Sequence, residues 1–318
     1  MDTARGIGII LVVYGHTLRG QVTSGAFLPS WHAGVQDDVI YSFHMPLFFF
    51  LAGLFFKKSF MRGSMPFIRD KALTIVYPYF LWSMISIALN FMAAHAVNNA
   101  IPLRAILTLW AAPVLQYWFL YALFLFQMLT VVTRANAWLT VLLCLMSAVG
   151  LSMGQRGIIV IASQYYVYFG LGVLVGPFIG AFSSAPLRVG VMTAVASAFF
   201  VISFVLKMSD SQGVFVARAL LGIAATVGVS ILVARRARWL AQLGMASMAI
   251  FVLHTVFSSG LRMGFKLVHL SDYRSLLLLS TGLGLAAPYI IWTLARHFNL
   301  VAALGLGAAP RLVSEARA

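Results

Sequence analysis

MDTARGIGIILVVYGHTL, residues 1–18, decides the fold class: it is an apolar run broken only by a few polar groups at helical spacing. Arg5 and His16 stand eleven residues apart, and eleven steps of about 100° return to nearly the same face of an α-helix. The two share one stripe, roughly 16 Å apart at about 1.5 Å per residue. With Arg5 at the membrane surface, His16 lies about half a hydrocarbon core deep, where an ionisable ring has to be accounted for. Gly8 and Gly15, seven apart, share another face on which a neighbouring helix can come close. The stretch has no basic leader followed by a small-residue cleavage pattern, so this helix is expected to stay with the chain.

The same composition runs through all 318 residues, 62% hydrophobic and 9% charged, with a mean hydropathy of +0.96. At roughly 20 apolar residues per crossing, this predicts an all-α polytopic membrane protein with about ten transmembrane helices around a polar cavity. The expected spans lie near 5–22, 39–56, 72–94, 116–133, 137–153, 158–181, 187–206, 214–234, 243–261 and 276–296. No stretch is left for a soluble domain; one membrane domain over 1–300 and a small-residue cytoplasmic tail over 301–318 are expected. Cys144 is the only cysteine, which excludes disulfides within the chain, and no metal site is expected. The net charge of +15 sits in short inter-helix segments rather than on a soluble fold, which argues against nucleic acid. Fourteen of the twenty-two Lys and Arg residues, from Arg5 through 57–71, 134, 188 and 235–238 to Arg296, Arg311 and Arg317, alternate onto one side. That bias puts both termini in the cytoplasm. Arg156, Lys207 and the cluster around Arg262 fall on the other side, and Arg262 runs against the trend.

Several polar groups interrupt this apolar chain. Asp37 and Asp38 close a polar loop at 20–38 and begin the second helix; they read equally as N-terminal capping charges and as cavity carboxylates. In YSFHMPLFFFLAGLFF, residues 41–56, His44 precedes Pro46, whose missing N–H should kink or open the helix beside a polar cavity. Lys57–Lys71 is the most basic loop, fitting lipid headgroups and also the phosphates of a donor, with Arg69 and Lys71 nearest the membrane. Pro78, between two tyrosines, predicts another broken helix. Trp118 reads as an interfacial aromatic or as part of an acceptor groove. His254, in SMAIFVLH, is a second intramembrane histidine of the same kind as His44. There is no P-loop, dinucleotide glycine motif, HExxH or GxSxG elbow.

A histidine in a membrane cavity suits two chemistries. With an unperturbed pKa of about 6.5 it can take a proton from a hydroxyl that attacks a thioester. It can equally relay protons through a transporter. The residues leave these close to balanced, and the scarcity of carboxylates in the helix interiors favours the enzyme. DTARGIGIILVVYGH then resembles the opening signature of the acyltransferase 3 family of membrane acyltransferases, especially its fucose 4-O-acetylase-like branch. FHMPLFFFLAG at 43–53, Pro78 with Tyr79 after the basic stretch, WFLYAL at 118–123 and SMAIFVLH at 247–254 follow in the family's order. Thr74 stands where many members carry an arginine. The resemblance implies transfer of an acyl group, usually acetyl, from cytoplasmic acyl-CoA to a hydroxyl of a sugar or lipid-linked glycan of the cell envelope, at the inner membrane. It implies His16 as the catalytic residue with Arg5 as its partner, donor binding by Arg69, Lys71 and Tyr79, and His44, Trp118, His254, Asp37 and Asp38 as cavity candidates. Acyl-CoA is then a co-substrate and no cofactor is bound. The alternative is a proton-coupled transporter or flippase of an envelope precursor.

Overall fold

The computed structural model of the chain describes residues 1–24, 31–93, 100–152, 158–206, 211–267 and 272–308. Arg156, Lys207, Arg311, Arg317 and the tail from 309 onward lie outside the described residues. Every regular element among the described residues is helical. The principal helices are α1 (Asp2–Thr23), α2 (Trp31–Leu54), α3 (Ser64–Met92), α4 (Leu115–Val132), α5 (Ala137–Ser152), α6 (Ile158–Val175), α7 (Pro186–Val205), α8 (Gln212–Val233), α9 (Arg238–Met245), α10 (Ser247–Leu267) and α11 (Tyr273–His297).

The fold is an all-α, multi-pass membrane protein. Seven of its described helical segments are long and apolar enough to cross a membrane, rather than the ten expected. The two opening helices are absent from that set, and for α1 the reason is its polar cargo: Asp2, Arg5, His16 and Arg19 dilute an otherwise apolar sequence. The same helix is the hub of the molecule. It packs on α2, α8, α9, α10 and α11.

Glycines set how close these helices come. Gly8 lies against Leu47 and Phe48, and Gly15 against Ile40 and Tyr41, so the predicted small-residue face receives α2. A tighter contact, not anticipated, joins α1 to α9. A Cβ on Gly6 would collide with the Leu240 carbonyl, and one on Gly244 with the Asp2 carbonyl, so the two backbones touch.

Both predicted proline breaks are softer than expected. α2 runs through Pro46 as one helix. In α3 the backbone absorbs Pro78 by a π-helical turn over Ala72–Val76, in which the Tyr77 N–H reaches back to the Ala72 carbonyl. A π-turn of this kind re-pairs backbone groups that the proline cannot serve. The expected loop at 20–38 is also largely helix, since α1 extends to Thr23 and α2 begins at Trp31. At the far end, residues 301–308, expected as the start of the tail, belong to the packed body. Val301 and Leu306 are buried, and the Ala303 and Leu304 carbonyls accept hydrogen bonds from the Tyr77 hydroxyl and Trp82 Nε1 on α3.

Candidate active site

Three described histidines lie within this bundle, and of these His16 lines one of the three cavities described below. His16 lines a cavity of about 460 Å³ with Ser86, Asn90, Gln116, Thr255 and Arg262 among its walls. His44 and His254 are buried, each donating Nδ1–H to carbonyls of its own helix: His44 to Ile40 at 2.7 Å, His254 to Ile250 and Phe251 at 3.0 and 2.9 Å. A carbonyl only accepts, so in the neutral ring Nε2 is left as a bare acceptor, and neither Nε2 has a partner. His44 therefore bonds a carbonyl of the regular helical ladder, not one released by Pro46. Around His16 the contacts are between rings, His254 standing edge-on at 5.2 Å between centroids and Tyr41 at 6.2 Å. His16 makes no hydrogen bond to any described residue.

Tyr41 links this cluster to a charged pair. Its ring stands edge-on to His44 at 4.6 Å, and the Arg19 guanidinium sits over its face at 3.0 Å. Arg19 in turn makes a bidentate pair with Asp37, at 2.6 and 2.7 Å. Asp37 and Asp38 lie more than a turn inside α2, so the reading of both as N-terminal capping charges does not hold. Asp37 is instead the counter-ion of a cation one helix away, and Asp38 is exposed. The link of Arg19 to Asp37 and Tyr41 went unnoticed in the sequence because these partners lie eighteen or more residues away on another helix.

Arg5 does not join His16. It pairs with Asp2 at 2.8 Å, leans on the Phe55 ring at 5.2 Å, and lines a separate cavity of about 410 Å³ with Trp292, Arg296 and Met248 at the amino-terminal end of α1. That cavity shares Ser247, Met248, Gly307 and Ala308 with a third, of about 220 Å³, which runs inward to Phe48, Phe119 and Phe251. The inner end of this apolar cavity and the His16 cavity are one helical turn apart on two helices, Phe251 against Thr255 and Phe119 against Gln116. The partition is about 6 Å of helix. Buried Tyr117 holds it, its hydroxyl bonded to Ser86 Oγ at 2.8 Å and to the Val252 carbonyl at 3.2 Å.

The remaining candidates lie apart. Lys71 pairs with Asp70 at 3.0 Å and Arg69 is exposed beside it. Tyr79 is buried and donates to the Leu109 carbonyl at 2.6 Å, so its hydroxyl is committed to the fold. Trp118 packs on Phe49 and Tyr165, at 6.3 and 5.2 Å between ring centroids. None of these four lines any of the three cavities. Among the described residues no cluster of His, Cys, Asp and Glu has the grouping of a metal site.

A family model described as an acyltransferase domain matches residues 1–293. The nodulation protein NolL of Mesorhizobium japonicum is 27% identical over 147 residues, 43% of this chain and 37% of that protein. The chain thus spans little more than a third of the length of the curated relative it matches. No solved structure matches the chain.

Proposed function

Because the chain belongs to the acyltransferase 3 family, we propose that it is a membrane O-acyltransferase. It moves an acyl group, by family resemblance acetyl, from acyl-CoA to a hydroxyl of a sugar or lipid-linked glycan of the cell envelope. The observation that carries this reading is that His16 lines a cavity and makes no hydrogen bond to a described residue, whereas the His44 and His254 rings are buried and bonded to their own helices. In the inner membrane, with both termini cytoplasmic, the Arg5 and Arg296 cavity faces the cytoplasm and receives the donor's phosphates, while Arg69 and Lys71 on the neighbouring surface draw it in. The acyl-pantetheine arm follows the apolar cavity toward Phe251 and has about one helical turn left to cross.

At His16 the acceptor hydroxyl gives its proton to the imidazole as its oxygen bonds to the thioester carbonyl carbon. The carbon–sulfur bond breaks, and the departing coenzyme A thiolate recovers the proton from the imidazolium. Arg5, on the same helix but in another cavity, binds the donor and takes no part at the reacting atoms. His254 and Tyr41 hold the His16 ring.

The test is turnover of labelled acetyl-CoA by the purified protein supplied with envelope glycans. Wild type should release free thiol and label the glycan, and His16→Ala should lose at least about 100-fold of that rate, as expected for a general base. Full activity in a folded His16→Ala protein would overturn the reading. A substrate movement that needs a proton gradient and consumes no acetyl-CoA would favour the transporter.

A further inference from the structure

The His16 cavity carries a cation that the acyl transfer step does not use. Arg262 lines it from α10 and donates from Nη2 to the hydroxyl of Ser259 at 3.3 Å. Among the described residues no carboxylate pairs with it. The other cations of the inner bundle are answered: Arg19 by Asp37, and Arg218 by the Ser203 carbonyl and the Phe204 ring. A part-buried guanidinium on a cavity wall without a counter-ion among the described residues is costly, and a ligand is a reason for keeping one. The seat is also shaped. Gly20 has no side chain where the guanidinium rests, and a Cβ there would strike Nη1 of Arg262. Gly20 is one turn beyond His16 on α1, so the guanidinium sits about 6 Å along the axis from the level of the imidazole. Thr255, Ser259 and Arg262, at i, i+4 and i+7, form one stripe of the same wall.

We infer that the acceptor bears an oxyanion, a carboxylate or a phosphate ester, within about one sugar ring of the hydroxyl that is acylated, and that Arg262 binds it. The inference rests on the reading of this cavity as the acceptor site. A volume of about 460 Å³ suits a monosaccharide-sized group with room for its linkage. The neutral hydroxyl and amide groups on the remaining wall suit the sugar's other hydroxyls, while the guanidinium fork suits a planar carboxylate or a phosphate.

The full-length protein in detergent, without acyl-CoA, is titrated with glucuronate, glucose 1-phosphate and glucose, and binding is followed by thermal shift. The expected result is that at least one anionic sugar binds ten times or more tighter than glucose. Arg262→Gln should bring the three to one level, and Arg262→Lys should keep part of the preference. Gly20→Ala, which keeps the charge but pushes it from its seat, should weaken the anion by several-fold. Preference for glucuronate alone identifies a uronic acid acceptor, and preference for glucose 1-phosphate alone identifies a phosphorylated one. Equal binding of the three sugars, binding of none of them, or an anion preference unchanged in Arg262→Gln would overturn the inference. Since no acyl donor is present, its failure is separate from that of the transfer chemistry, which His16→Ala tests by turnover.

Discussion

Asp37 meets Arg19 through two short hydrogen bonds, yet the side chains of the pair are 27% and 50% exposed. Pairs so open to solvent contribute at most about 1 kcal/mol to stability. Asp37→Asn should therefore leave the melting temperature within a few degrees of wild type. It should still lower acyl transfer by roughly tenfold or more, because Arg19 would no longer be held over Tyr41, which packs on both His16 and His44. Thermal melts and turnover on one preparation check this; a large stability loss would show the pair to be structural. None of this circuit was legible in the sequence, where Asp37 read equally as a capping charge and as a cavity carboxylate and nothing marked Arg19 as its partner. The spacing of Arg5 and His16 was legible, but not that the two open onto different cavities. Arg262 left the clearest trace, as a positive charge on the side where the charge bias disfavours it.

At the scale of elements, the contact of α1 with α9 rests on the absence of two side chains. Gly6→Val or Gly244→Val should cost about 1–3 kcal/mol through overpacking against backbone that cannot yield. Gly190→Ala in α7, where a Cβ meets nothing, should instead gain about 0.5–1 kcal/mol by restricting the unfolded chain. Chemical or thermal unfolding of the three variants separates these signs. The start of α11 adds a pH dependence. The Asp272 carboxylate is held below the usual carboxylate range first by the Ser275 hydroxyl and then by the Ser275 and Arg274 N–H groups it accepts. A group whose folded pKa is depressed stabilises above its unfolded pKa and loses that effect as pH falls. Asp272→Ala should therefore melt below wild type at pH 7, and the difference should shrink as the pH drops below about 4. The capping role follows from its position ahead of an apolar helix. The Gly6 contact had no such local sign, because its partner is more than two hundred residues away.

For the whole molecule, the C-terminal segment joins what the chain order separates. Leu306 and Val301 are buried, and Gly307 and Ala308 line both cavities at the amino-terminal end of α1. Leu306→Ala should cost about 2–5 kcal/mol by leaving a cavity. It should also raise the KM for acyl-CoA more than that for the acceptor, since the damage lies at the donor's end of the protein. Equal effects on both substrates would contradict this division. The sequence by itself determined the helical membrane class, the shared stripe of Arg5 and His16 and the small-residue face of α1, because hydrophobic content and helical period act within a single element. Only the tertiary structure decided which histidine has access to a ligand, which charges pair, and where the cavities end. Those depend on side chains brought together from distant helices, and the spacing within any one helix carries no information about its neighbour.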